Sequence, residues 1–467
     1  MNFAELRFWE LFLSALAVLL LLRLGLGRVR PQALVLFDKL ALLGLGLFLL
    51  LCVSAVTFVI FLVISVGSYA RLAWVLRHQE QQRRRYLLVL IPLQLLPLFW
   101  YKYAHFAANH VLGLQLELLR DLIIPAGISF YTFQKIAFVI DTLHFQKPLP
   151  RFLDYMNFVG FFPQIVAGPI ERRENLLPQM EQFRFRWLKD DIDTGAAWIA
   201  LGLFFKCALA NNLAAYFDPG PTTNAYLIWL ANVLFGLRIY YDFAGYSLVA
   251  LGLARCLGIR LTLNFASPYC ATSSTEFWRR WHITLSQWFR DYLYVPLGGG
   301  RTRAWAFNIA LVFIVSGVWH GAGWNFVLWG ALHGAFLIVN RLLGPRLNLP
   351  ATVGWLLTMS GSFLAWLAFY EPRTAVLADK LCALARPAAY NREALREAVT
   401  HWEEGNALVL CCLFILTATV LTVEWFSVRK GGEPYRLLLR PRVLAALVVL
   451  TVVLAPGKNN GFIYFAF

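Results

Sequence analysis

An all-α, polytopic membrane protein is the fold class this sequence predicts, and three observations predict it. The chain is 59% apolar and only 15% charged, where soluble domains run at roughly 45–50% and about 25%. The apolar residues gather in long runs, and residues 40–70 contain no Asp, Glu, Lys or Arg. The charges that remain gather in short basic clusters between those runs.

A spanning helix needs about 20 apolar residues. The first candidate covers 8–26. The run from Gln32 to Ala70 is too long for one untilted span and divides into two. Further candidates cover 86–104, 121–143, 194–216, 224–258 (one long or two short), 304–319, 322–343, 351–370, 407–427 and 442–456. That makes roughly ten to twelve spans. Neither internal repeats nor low-complexity linkers interrupt them, so the chain reads as a single membrane domain, 1–467. Within it, 1–120 holds plain apolar spans and 121–345 the chemistry-bearing core. Residues 346–467 hold the last spans, an external loop at 371–405 and a tail at 457–467.

The net charge of +16 invites a nucleic-acid reading, which its placement opposes. Arg23, Arg28 and Arg30 follow the first span. Arg77 and Arg83–Arg85, then Arg301 and Arg303, then Arg341 and Arg346, then Arg429 through Arg442 repeat the pattern. Basic clusters between spans mark cytoplasmic loops, so the expected partner is the bilayer and not nucleic acid. The same rule places the N-terminus, the stretch Glu371–Asn406 and the tail after Pro456 outside the cytoplasm. Glu5 and Glu10 precede the first apolar run, which does not read as a cleavable signal. The seven cysteines form no C-x-x-C pair and have no histidine at zinc spacing, so neither metal nor disulfide framework is expected.

From Gly127 to His333 the apolar background is studded with Gly, Pro, Trp, Tyr and single charges. Irregular or polar backbone at membrane depth is tolerated only where it is buried or lines a wet cavity. The stretch Glu276–Tyr292 predicts one amphipathic helix. Trp278, Trp281, Leu285, Trp288 and Tyr292 fall on one stripe, with Arg279, Arg280, Gln287 and Asp291 opposite. Thr275 or Ser274 would cap it, and His282 lies at the edge of the stripe.

Of eight histidines, His78, His105, His110, His144 and His401 sit in loops or near helix ends. His333 flanks a long apolar helix. His320 lies in SGVWHGAGW, where Gly317, Gly321 and Gly323 permit close backbone approach. An ionisable residue inside a span is a functional hypothesis by default. A neutral imidazole in an apolar pocket is a general base, able to take the proton of a hydroxyl as its oxygen attacks a thioester carbonyl. No G-x-S-x-G accompanies it, which favours direct transfer over an acyl-serine. The absence of a P-loop, a dinucleotide fingerprint and H-E-x-x-H speaks against a nucleotide-driven pump, an oxidoreductase and a zinc protease.

Several segments carry a resemblance: GISFYTFQ (127–134), FVIDT (138–142), FFPQIVAGPIER (161–172), YYDFAGYS (240–247), NFASPY (264–269), EFWRRWHITLSQWFRDYLYVPLGG (276–299) and GVWHGAGWNFVLWGALHG (317–334). They are similar to the membrane-bound O-acyltransferase (MBOAT) family, in its bacterial polysaccharide branch of the alginate O-acetyltransferase (AlgI) type. The resemblance implies a ring of about 10–12 spans, with re-entrant or amphipathic helices around a central catalytic tunnel. It implies His320 as the catalytic histidine, His282 as a second histidine, and Trp319, Trp324, Asp242, Asn264 and Arg280 as cavity lining. The tail FIYFAF (462–467) resembles the aromatic-Tyr ending of that branch and of small companion proteins of the D-alanine transferases, which implies an acyl relay on Tyr464. No bound cofactor is implied. The donor would be acetyl-CoA or another acyl thioester, and the partner a periplasmic SGNH-type transferase of an exopolysaccharide system. The chain departs from the pattern at Ala466, where a polar residue is expected, and at GRTRAW after LGG. Two rival readings stand beside this one: D-alanyl or other acyl transfer from a carrier protein, and a polymer channel without enzymatic activity. A lipid or protein acyltransferase of the same family is a further alternative.

Overall fold

The computed structural model describes residues 3–114, 122–456 and 461. It is 77% helical, with no strand among the described residues. Nine described helices are long and apolar enough to cross a membrane, and Trp305–His320 and Pro441–Leu454 are shorter apolar ones. The chain forms two compact units, Met1–Ile199 with Val249–Thr262, and Ala200–Leu248 with Leu263–Phe467.

The first unit begins with α1 (Leu6–Val29), α2 (Leu34–Val53) and α3 (Ala55–His78). The apolar run 32–70 divides at Ser54, whose hydroxyl caps α3 by accepting from the Thr57 N–H at 3.3 Å. Helix α4 (Leu87–Leu98) contains Pro92 and Pro97 and continues into π turns at Phe99–Tyr103 and Ala107–Val111. Proline lacks the N–H that an i−4 carbonyl needs, so the register widens after it. Next come α5 (Ile128–Leu143), α6 (Phe152–Gly160), α7 (Arg173–Glu181) and the start of α8 (Lys189–Leu203). The span expected at 121–143 is thus a 16-residue helix, shorter than a full crossing; residues 115–121 lie outside the described ones. Helix α5 is buried on every face, which is why its sequence lacks a clean apolar stripe. Two ion pairs tie helices of this unit together: Arg23 of α1 to the fully buried Asp38 of α2 at 2.7 Å, and Lys39 of α2 to Asp154 of α6 at 2.5 Å.

In the second unit the run 224–258 proves to be one 32-residue helix, α9 (Ala225–Cys256), whose residues up to Leu248 belong here. It is followed by α10 (Ser274–Arg280), α11 (Ile283–Phe289), α12 (Trp305–His320), α13 (Trp324–Leu347) and α14 (Ala351–Tyr370). The polar stretch after Glu371 holds two helices, α15 (Thr374–Ala385) and α16 (Arg392–Thr400), before α17 (Glu404–Gly431) and α18 (Pro441–Leu454).

The single amphipathic helix expected over Glu276–Tyr292 is corrected. It breaks at Trp281–His282 into α10 and α11 and ends in a π turn at Arg290–Tyr294. Its cap is Ser273, not Thr275 or Ser274: the Ser273 hydroxyl accepts from the Glu276 N–H at 3.1 Å. The Glu276 carboxylate in turn accepts from the Thr272 N–H at 2.8 Å and from Arg280 at 3.0 Å. Burial alone would raise this carboxyl, but those hydrogen bonds outweigh it and hold Glu276 below its ordinary range. A Ser three residues before a Glu is the capping-box spacing, and it was present in the sequence.

Candidate active site

Helix α12 ends at His320 because Gly321 adopts an extended backbone, φ −165 and ψ 159. The chain restarts as α13 after Gly323, also extended. The two helices form an antiparallel hairpin held at very close range. A methyl group on Gly317 would overlap the Phe326 carbonyl, and one on Gly330 the Phe313 carbonyl. At the closed end, Asn325 donates to the Ala368 carbonyl of α14 at 3.0 Å. His320 is buried there. Its ring meets Trp319, Trp329 and Phe369 edge-on, with centroids at 4.9, 4.8 and 5.3 Å.

His282 reaches the same place from the break between α10 and α11. Its backbone is left-handed, φ 42 and ψ 55, a region that non-glycine residues enter at a cost of about 1–2 kcal/mol. Asn264, fully buried, holds it there. The Ile283 N–H donates to the Asn264 carbonyl at 2.9 Å. The Thr284 N–H and hydroxyl both donate to Asn264 Oδ1, at 3.2 and 3.0 Å. The Ala266 N–H donates to the Arg280 carbonyl at 2.9 Å, and Arg280 Nη1 donates to the Ala266 carbonyl at 3.0 Å. The His282 ring packs on Phe243 at 4.7 Å and lies 6.0 Å from Trp319. Trp319 is therefore common neighbour to both imidazoles.

The other residues singled out from the sequence fall around this pair in different ways. Asn264 and Arg280 build the turn that presents His282. Asp242, next to Phe243 on α9, is buried in an ion pair with Lys206 at 2.8 Å. Trp324, the first residue of α13, stands half exposed. Tyr464 lies outside the described residues. The nearest described point of the tail is Gly461, whose carbonyl accepts from Lys206 Nζ at 3.4 Å.

The sequence reading passed over two charged residues. Lys206 and Glu424 are single charges within apolar runs, and that was the available signal. Glu424, fully buried, accepts from the Tyr240 hydroxyl at 2.7 Å, and that hydroxyl lies 3.1 Å from the Tyr435 hydroxyl. His333, which the sequence sets on the flank of a long apolar helix, is buried beside Trp329 and Trp278, at 4.8 and 4.9 Å.

The arrangement offers two buried imidazoles in an apolar, ring-walled setting, one on a helix end and one on a held turn. Residues 46–377 match the family model of MBOAT, the membrane-bound O-acyltransferases. The chain belongs to that family. It is a multi-pass membrane protein of the MBOAT type, and the matched stretch contains both histidines. The chain is 36% identical over 285 residues to a peptidoglycan O-acetyltransferase of Helicobacter pylori, covering 53% of this chain and 54% of that one. It is 36% identical over 305 residues to a probable alginate O-acetylase, AlgI, of Pseudomonas aeruginosa, covering 61% and 57%. It is 29% identical over 239 residues to a teichoic acid D-alanyltransferase of Bacillus subtilis, covering 47% and 59%. The chain thus spans between half and three-fifths of the length of these MBOAT relatives.

Proposed function

We propose that this protein transfers an acetyl group from a cytoplasmic thioester, acetyl-CoA or a similar donor, toward hydroxyl groups of a cell-envelope polysaccharide such as alginate or cellulose. The observation that carries the reading is the burial of His320 at the glycine-broken end of α12, with His282 held across Trp319. In this reading the His320 imidazole takes the proton of the acceptor hydroxyl. The oxygen attacks the thioester carbonyl, the C–S bond breaks, and the thiolate leaves and is protonated. Helix α12 is about 24 Å long against a hydrocarbon core of about 30 Å, so a helix of this length starting at one membrane face would end within the apolar layer. That suits a site where a donor from one side meets an acceptor on the other.

Tyr464 is the proposed first acceptor, its phenol oxygen taking the acetyl group and then handing it to a periplasmic SGNH-type partner. The docking of Gly461 on Lys206 supports this, because it brings the start of the tail onto the helix segment paired with α9. The names of the Helicobacter and Pseudomonas relatives favour acetyl as the group moved. The Bacillus relative favours a second reading, D-alanyl transfer from a carrier protein. An inner-membrane location with both termini outside completes the proposal.

The test is the acetyl content of the secreted polysaccharide in strains carrying wild type, His320→Ala and Tyr464→Phe, with membrane levels matched by blot. General-base loss predicts a fall of about 10²–10⁴-fold for His320→Ala. Loss in His320→Ala alone keeps the transferase and discards the relay. Full acetylation in His320→Ala overturns the reading. A fall in D-alanine ester with unchanged acetyl selects the second reading.

A further inference from the structure

The second unit contains a cavity of about 1270 Å³, walled by α10, α11, α12, α13 and α14. It exceeds the roughly 300–1,000 Å³ of pockets for drug-sized ligands. Neither His320 nor His282 lines it. We propose that this cavity is a binding site for one anionic phospholipid, with the acyl chains in its apolar slot and the phosphate on Arg279 and Arg341.

Three features of the cavity select that occupant. The slot is walled by side chains such as Val312, Phe313, Phe336 and Leu337, which suits hydrocarbon. The flank of the cavity on α13 and α14 is apolar and open: Val339, Leu343, Leu347 and Leu357 are 51%, 46%, 55% and 60% exposed and line it. A site with such a wall is reached from the bilayer, whereas a water-soluble donor needs a polar mouth.

The same cavity is also lined by cations. Arg279, Arg290 and Arg341 line the cavity, and its lining contains no Asp or Glu. Arg290 is neutralised by Asp291 at 2.7 Å. Arg341 lies over the Trp305 ring at 4.4 Å and donates to the Gly300 carbonyl at 3.1 Å. Among the described residues neither Arg341 nor Arg279 has a carboxylate partner. An apolar slot with uncompensated arginines in its lining complements a lipid whose headgroup is anionic, and basic pockets between spans bind such headgroups. A zwitterionic lipid leaves the net charge of the lining unbalanced.

Occupancy has a route to the site. Ser316, one helical turn before His320, and Ile283, directly after His282, both line the cavity. The lipid would brace the two elements that carry the imidazoles without touching either ring.

The experiment measures thermal unfolding of the detergent-purified full chain. It compares added phosphatidylglycerol, phosphatidylcholine and coenzyme A, and lipid retention is read by native mass spectrometry. Phosphatidylglycerol should stabilise selectively and co-purify at one molecule per chain. Arg279→Gln and Arg341→Gln should each weaken its binding about fivefold, while Arg279→Lys retains it. Leu357→Trp, which fills the slot from an exposed position, should displace the lipid with the arginines intact. Equal stabilisation by phosphatidylcholine overturns the charge argument. Stabilisation by coenzyme A, lost in Arg279→Gln, overturns the lipid assignment in favour of a phosphate-bearing donor. Retention undiminished in Leu357→Trp and in both glutamine variants overturns the site.

Discussion

His282 concentrates the residue-scale argument, because its backbone and its ring can be separated by mutation. The left-handed turn costs a non-glycine residue about 1–2 kcal/mol, and strain of this kind persists where surrounding structure enforces it. His282→Gly removes both strain and imidazole. The ring it deletes is buried, and the cavity left behind costs about 2–5 kcal/mol, more than the strain relieved, so we expect a lower thermal midpoint of the detergent-purified protein together with loss of acetyl transfer. A glycine variant that is both stable and fully active would show that the turn matters and the ring does not. Asn264→Ala is the complement. It strips the acceptor from the Thr284 N–H and hydroxyl, and an unsatisfied buried group costs about 1–3 kcal/mol. It should lower both stability and transfer, with His282 itself intact. Both histidines stood out in the sequence, His320 by the glycines and tryptophans around it in an apolar run and His282 by its place at the edge of the Trp stripe. The role of Asn264 was not. It acts on a turn some 20 residues away, and no local pattern announces a side chain that caps a distant helix.

At the scale of elements, the sequence located helices better than it located breaks. The stripe from Trp278 to Tyr292 fits a 3.6-residue period, yet the chain leaves that period at His282. Periodicity records which side chains are buried, and Trp281, Leu285 and Trp288 are indeed buried. It does not register a backbone bond supplied from the Asn264 turn. The α12–α13 hairpin was more readable, because a glycine is the only residue that lets two helix backbones meet so closely. Gly330→Ala tests this. Its methyl group would overlap the Phe313 carbonyl, and overpacking of this kind costs about 1–3 kcal/mol. We expect lowered stability together with lowered transfer, because the hairpin also fixes His320. Gly44→Ala is the control: a methyl there meets nothing within 4 Å, and alanine favours a helix over glycine by about 1 kcal/mol. Equal behaviour of the two variants would remove the close approach as the cause.

Across the whole molecule, composition identified a membrane protein, but the buried charges show how such a chain keeps polar groups inside. Arg23–Asp38 and Lys39–Asp154 lie in the first unit; Lys206–Asp242 and Lys380–Glu371 lie in the second. The sequence could not pair these residues, since the partners come from different helices or, for Glu371 and Lys380, from a helix end and the middle of the helix that follows. Glu371, at the end of α14, is the most accessible to test. Lys380 Nζ donates to it at 3.0 Å and Arg373 Nε at 2.7 Å, and both Lys380 and Glu371 are buried. Burial alone would raise the Glu371 carboxyl, but the hydrogen bonds from Arg373 and Lys380 outweigh it and hold the group below its ordinary range. A depressed carboxyl stabilises the fold fully above its unfolded pKa, about 4.3. That stabilisation is lost as pH falls through the lower, folded value. Thermal midpoints of wild type and Glu371→Ala, measured from neutral pH downward, should therefore differ at neutral pH and converge in acid. Near neutrality the variant should lose about 3–5 kcal/mol, because the Lys380 ammonium stays buried without its carboxylate. Adding Lys380→Met to Glu371→Ala removes the orphaned charge and should recover most of that loss. If the single and double variants are equally unstable, Glu371 supports α14 by packing, and charge pairing is not what holds this end of the second unit.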